Sequence, residues 1–253
     1  MPIFFFYKHY SERELKMNIN LQPQVAQTKD GLYVVTYASL NAPLNVQEAA
    51  FAAHGLHTAS PAELGYLRAG VENSPFTPYS RTDMDVFYDD RGGGKVVLAR
   101  DRAISKLFLS DLVNAHRKDK ELIIPKDQRE LVYATIDAML ENGRALATGH
   151  GVHRIDTSRF GEDGLTEIMF SDPSLGIHAA DYGAWLNNQG RDTQSLFFDS
   201  KDYAKSQKGP YLNRLRVFGP GSGFDAGDGR YLGDDGSAFG VRLEKTAEGG
   251  AKK

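Results

Sequence analysis

Residues 49–70 read AAFAAHGLHTASPAELGYLRAG. The first half, Ala49 to Ala53, is alanine-rich around Phe51 and compatible with helix. Gly55 then supplies a natural C-terminal stop, because glycine takes the left-handed turn that ends helices. Just upstream, Asn45-Val-Gln-Glu48 has the spacing of a capping box, in which Asn accepts from a free backbone N–H and Glu reaches back. The second half repeats the device in Ser60-Pro-Ala-Glu63. Pro61 stands at the first helical position, where its missing N–H costs nothing. Leu64, Leu67 and Gly70 complete a second short helix, with His57-Thr58 as the link between the two.

The same reading extends outward. Tyr33-Val34-Val35-Thr36-Tyr37 is rich in β-formers. Asp85 to Ala99 predicts a β-hairpin, with turn chemistry at Asp90 to Gly94. Pro125 opens the strongest helix, Lys126 to Asn142. There Val132, Ile136, Met139 and Leu140 share a face, and Gly143 ends it. Leu196-Phe-Phe, Leu215-Arg-Val-Phe and Phe239-Gly-Val-Arg-Leu243 predict strands. Gly149 to Gly190 reads as a long irregular region, which inside a compact domain is functional or held by tertiary contacts.

The chain has 253 residues, 41% hydrophobic and 25% charged, with a net charge of −3. That suits one large domain with its own core. The near-neutral balance offers nucleic acid no basic field, so no nucleic-acid partner is expected. No apolar run reaches the ~18 residues of a membrane span, so no membrane insertion is expected. Phe4-Phe5-Phe6 is followed at once by Lys8, which makes a poor export signal. Met17 offers a second start. Residues 1–17 therefore read as an extension, 18–243 as one domain and 244–253 as a flexible tail. Cysteine is absent, which removes disulfides and cysteine nucleophiles.

The chemical motifs are weak. His54-Gly-Leu-His57 and His150-Gly-Val-His153 have a spacing that metal sites use, but no metalloprotease Glu follows. Asp83-Met-Asp85 reads as solvated residues at a strand start. Gly221-Ser-Gly223-Phe-Asp-Ala226 matches a permissive dinucleotide fingerprint but lacks the helix that the mechanism needs. Gly92-Gly-Gly-Lys95 reads as a turn.

Ala49 to Gly70, with Arg68-Ala-Gly70 at its end, resembles the helix–turn–helix segment of the formylglycine-generating-enzyme branch of the C-type lectin fold. Phe239 to Leu243 resembles the strand on which that fold closes. The resemblance implies an α+β fold: a C-type-lectin-like domain with short antiparallel strands, two short helices in the N-terminal half and an inserted longer helix. His57 and Thr58 depart from the basic-apolar pair of that link, and Ile104 to Gly143 has no counterpart. Enzymes of the fold use cysteine chemistry with a metal or a three-histidine iron site. The first cannot operate here, and no His-x-x-x-His-x-Glu occurs, so no catalysis is expected.

The sequence also resembles the variable proteins of diversity-generating retroelements, which have this fold and carry diversified residues near the C-terminus. Adenine mutation of AAC codons reaches Gly, Asp, Ser, Arg, Tyr and Pro, but not Lys, Glu, Gln, Met or Trp. Gly219 to Gly240, GPGSGFDAGDGRYLGDDGSAFG, holds eight Gly and four Asp and none of the excluded types. Phe218, Phe224, Leu232, Phe239 and Val241 punctuate it as scaffold positions. The resemblance implies a diversified region at about residues 211–240 and a ligand-binding display protein. Its site residues would be Gly221, Ser222, Gly223, Asp225, Gly227, Asp228, Gly229, Arg230, Tyr231, Gly233, Asp234, Asp235, Gly236 and Ser237. Such proteins sit on a virion or cell surface and meet a protein or glycan target such as a host-cell surface receptor. No cofactor is expected. The alternative is a metal-dependent carbohydrate binder or enzyme of the same fold, with His150, His153 and nearby Asp, or with calcium on Asp225, Asp228, Asp234 and Asp235.

Overall fold

A computed structural model describes residues 21–42, 44–76, 80–108, 122–217, 223–225 and 236–246. The expected extension at residues 1–17 lies outside them. The first strands are β1 (Gln24–Gln27) and β2 (Tyr33–Ala42), followed by helix α1 (Leu44–Ala53) and the short β3 (His57–Thr58). Helix α2 (Pro61–Gly70) leads into β4 (Ser80–Asp89) and β5 (Lys95–Ala99). Next come β6 (Leu122–Ile123), α3 (Arg129–Glu141), β7 (Ala145–Thr148) and β8 (Val152–Asp156). The chain then forms α4 (Gly164–Phe170), α5 (Ala179–Asn188), β9 (Thr193–Phe197) and α6 (Lys201–Ser206). It closes with β10 (Tyr211–Val217), β11 (Phe224–Asp225) and β12 (Gly236–Lys245).

The strands form one mostly antiparallel sheet whose main path is β1-β2-β12-β4-β10-β11-β9-β8. The last strand joins the first part of the chain: β12 pairs with β2 from Gly236↔Ala42 to Lys245↔Tyr33. Glu244 and Lys245 therefore belong to the sheet, and Thr246 donates its backbone N–H to Leu32. Strand β12 thus runs two residues past Leu243.

The two faces of the sheet are covered differently. One face packs Met84, Val86, Leu215, Val217, Phe239 and Val241 against α2, α4 and α5, which contribute Leu64, Leu67, Phe170 and Tyr182. The other face is covered in part by α1, where Phe51 meets Ala38 and Ala238. Farther along that face, α3 lays Val132, Ile136 and Met139 on Val97, Ala99 and Leu212. The 104–143 region therefore adds its own core, and the expected face of α3 is the buried one.

Helix α2 begins as its sequence dictates. Ser60 Oγ accepts the Glu63 N–H at 3.1 Å, and Glu63 Oε2 accepts the Ser60 N–H at 2.8 Å. The expected box at Asn45 differs. Helix α1 starts at Leu44, which puts Asn45 inside it, and the Glu48 carboxylate is held elsewhere, by two arginines. The β4–β5 hairpin forms with its turn at Arg91–Gly93. Gly149 to Gly190 is not irregular: it holds β8, α4 and α5. Helix α4 is only seven residues long, too short to display a 3.6-residue period, and is started by Asp163, whose Oδ1 accepts from Leu165 and Thr166.

Candidate recognition surface

The glycine- and aspartate-rich stretch, Gly219 to Gly240, follows β10 in sequence and ends within β12. Strand β10, the first seven residues of the region expected to vary, is buried along its whole length. Among the described residues of the stretch before β12, a short strand lies in the sheet. There β11 pairs antiparallel with β10 (Val217↔Phe224, Arg216↔Asp225) and parallel with β9 (Phe224↔Leu196, Asp225↔Phe197). Phe224 is buried, with its ring 4.9 Å from that of Phe170. Phe239 and Val241 are buried too, as scaffold positions should be. Among the expected site residues, Gly223, Asp225, Gly236 and Ser237 are placed: Asp225 and Ser237 are half-buried, Gly223 stands just before β11 and Gly236 opens β12. Gly221, Ser222, Gly227, Asp228, Gly229, Arg230, Tyr231, Gly233, Asp234 and Asp235 lie outside the described residues, as do Phe218 and Leu232.

Between α1, β4 and β10 lies a buried ionic cluster that the sequence reading did not find. The Glu48 carboxylate meets Arg102 Nη2 at 2.6 Å and Arg214 Nη2 at 3.1 Å. Arg214 also donates to the Thr82 carbonyl (3.0 Å) and to Ser105 Oγ (2.9 Å), and its Nε stands 3.5 Å from Asp85 Oδ1. Asp85 Oδ2 accepts the backbone N–H groups of Ile104 and Ser105. Asp85 is thus fully buried in a central strand, not solvated at an edge, because arginine and two backbone donors replace its water. The alternation of Arg214 and Arg216 with Leu215 and Val217 was the available signal. It marks two faces of one strand without saying that the polar face is also covered.

A second cluster joins the α2 cap to β4. Glu63 Oε1 meets His57 Nε2 at 2.8 Å, and this hydrogen bond raises the His57 pKa against the opposing effect of burial. Burial, reinforced by the Glu63 charge, pushes the Asp83 carboxyl up to about 7. The unfolded chain ionises Asp83 near its ordinary pKa of ~3.9, while the folded protein holds the proton to about 7. Ionisation therefore removes stability as pH rises through that interval. Asp83→Asn should be more stable than the parent at pH 8 by about 2 kcal/mol and indistinguishable from it at pH 4. Urea unfolding at the two pH values checks this.

The other three histidines of the two spaced pairs are engaged by the backbone: His54 Nδ1 with the Ala50 carbonyl, His150 Nδ1 with the Asp199 carbonyl and His153 Nε2 with the Gly149 carbonyl. Among the described residues no group of three His, Asp or Glu is arranged to hold a metal ion. Three of the four aspartates weighed for calcium are outside the described residues. No helix among the described residues is long and apolar enough to cross a membrane.

No protein-family model and no curated protein sequence matches the chain. A solved structure does, one described as "Accommodation of massive sequence variation in Nanoarchaeota by the C-type lectin fold". The two superpose with a TM-score of 0.53 at 12% identity, over 91% of this chain and 100% of the other. The class is thereby fixed: this α+β chain has the C-type lectin fold.

Proposed function

We propose that this protein is a non-catalytic display protein, whose C-terminal stretch recognises a macromolecular or cell-surface target through side chains that are free to vary. The observation that carries the reading is the anchoring of that stretch. Residues 218–235 lie between the fully buried β10 and a β12 that pairs with β2 over its whole length. A scaffold closed in this way takes its stability from elsewhere, and recognition residues carried between rigid strands can change at little cost. The massive sequence variation that the C-type lectin fold accommodates in the solved neighbour supports the same reading.

The stretch has the composition of adaptable paratopes: Tyr gives contact area at low entropy cost, and Gly and Ser adapt. Arg230 and Tyr231 are the side chains most suited to dominate a contact. Replacing both by Ala should leave stability within about 0.5 kcal/mol, the range of surface substitutions away from special features. Thermal unfolding checks this, and a large loss would make the stretch structural. The retroelement origin is tested separately, by sequencing the flanking DNA for an Asn-rich near-copy of residues 211–240 beside a reverse transcriptase. A stoichiometric metal in the purified protein, with binding lost on chelation, would favour the metal-dependent alternative.

A further inference from the structure

We infer that the recognition surface includes a constant apolar anchor, Phe197 of β9 with Val152 of β8, outside the stretch that varies. Its target is a protein that presents an apolar side chain to this pair. The inference rests on the display reading and names the class of partner.

The composition of the stretch creates the need. Specific interfaces keep an apolar centre depleted of charge, and a few large side chains there carry most of the binding energy. From Gly219 to Asp235 the large side chains are Phe224, Arg230, Tyr231 and Leu232. Phe224 is in the core. The rest of the run is Gly, Asp, Ser, Ala and Pro. Gly and Ser adapt to a partner but bring little apolar area, so an apolar centre has to come from the scaffold.

Register supplies one. Val152 stands directly opposite Phe197, and Phe197 directly opposite Asp225, in one row across β8, β9 and β11. Directly opposed residues share a face, with Cβ atoms about 5 Å apart. The other face of these strands carries Ile155, Leu196 and Phe224 into the core, so Phe197 and Val152 point away from it. Phe197 is 38% and Val152 56% exposed. Apolar residues scattered singly over a surface are ordinary. Of the six large hydrophobic residues exposed among the described residues, however, these two oppose each other across a strand pair. Farther along the same face the pairs are polar, Arg154 with Ser195 and Asp156 with Thr193. The apolar pair is thus confined to the end of the face where β11 stands, and the run 226–235 follows β11 in sequence. Neither side chain can hydrogen-bond, so the pair offers little to the hydroxyl-covered surface of a glycan. An apolar side chain of a protein would leave water together with theirs, which is favourable.

The test uses the full chain, displayed on phage with codons 226–235 randomised and selected in parallel against lysozyme and dextran. Lysozyme binders are expected. In them Phe197→Thr should weaken binding by roughly 10- to 30-fold. Val152→Thr keeps the shape of an exposed side chain, leaves the fold intact and should weaken binding about three-fold. Val25→Thr makes the same change on β1, at the far end of the sheet path, where Val25 is 68% exposed, and should leave binding unchanged. Thermal unfolding of each variant separates lost contact from lost fold. Lysozyme binders indifferent to both Phe197→Thr and Val152→Thr would overturn the anchor and leave the display reading standing. Binders to dextran alone would overturn the protein target. A library that yields no binder to either would overturn the display reading, and the anchor with it.

Discussion

Replacing Glu48 by Leu is expected to destabilise the protein by about 3–5 kcal/mol, the cost of removing one partner from a buried ion pair. At this chain length the midpoint of thermal unfolding should fall by roughly 10 °C. The effect is large because of what remains. Arg214, 1% exposed at its side chain, loses the carboxylate at 3.1 Å and, among the described residues, keeps the Asp85 oxygen at 3.5 Å as its charged partner. Arg102 is less confined and can turn toward water. The loss therefore falls mainly on Arg214, whose guanidinium ties α1 to β10 and to the Ser105 turn. Glu48→Gln, which keeps the shape and an acceptor but not the charge, should lie between the parent and Glu48→Leu. A second arm separates charge from packing. Combining Glu48→Leu with Arg214→Met, Arg102→Leu and Asp85→Asn removes the cations that the first change orphans together with the charge that Arg214 balances, keeps an acceptor for the Ile104 and Ser105 N–H groups, and should recover part of the stability. An unfolding midpoint unmoved by Glu48→Leu alone would mean that the network does not hold the two elements together.

That network marks the limit of what the sequence disclosed. Elements with local causes were legible. Ser60-Pro-Ala-Glu63 encodes its own helix start, and the Asp90 to Gly94 turn joins the strands on either side of it. In α3 the spacing of Val132, Ile136 and Met139 selects the face that packs. Elements whose cause is distant were not. Helices α4 and α5 are short, and their stability comes from the aromatic contacts that Phe160 and Phe170 make with Tyr182 and Phe224 across the core. Glu48 was read as a cap because its neighbours in sequence suggested one. Its partners Arg102 and Arg214 stand 54 and 166 residues away. Asp85 was misread for the same reason: a period of two separates the faces of a strand, but tertiary contacts decide whether the polar face meets water. The burial of Phe224, Phe239 and Val241 was legible because these apolar residues interrupt a run of Gly and Asp.

The recognition stretch should also contain one position where even a methyl group is destructive. Gly223→Ala is expected to cost about 3 kcal/mol, the combined effect of backbone strain and overpacking. Gly223 has φ +84°, where an L-residue is strained, and a Cβ built on it would lie 2.2 Å from the Ser195 carbonyl oxygen. That oxygen belongs to the backbone of β9 and cannot rotate away, so β11 and β9 must part. Their separation would draw Phe224 out of its contacts with Phe160 and Phe170. Chemical denaturation of Gly223→Ala beside Arg230→Ala/Tyr231→Ala should thus give opposite results from substitutions only seven residues apart. If Gly223→Ala were neutral, β11 would not be pinned to β9, and the stretch would be one continuous loop. A loss confined to Gly223 instead means that the sheet forbids a side chain at that position, whatever freedom the flanking residues have for recognition.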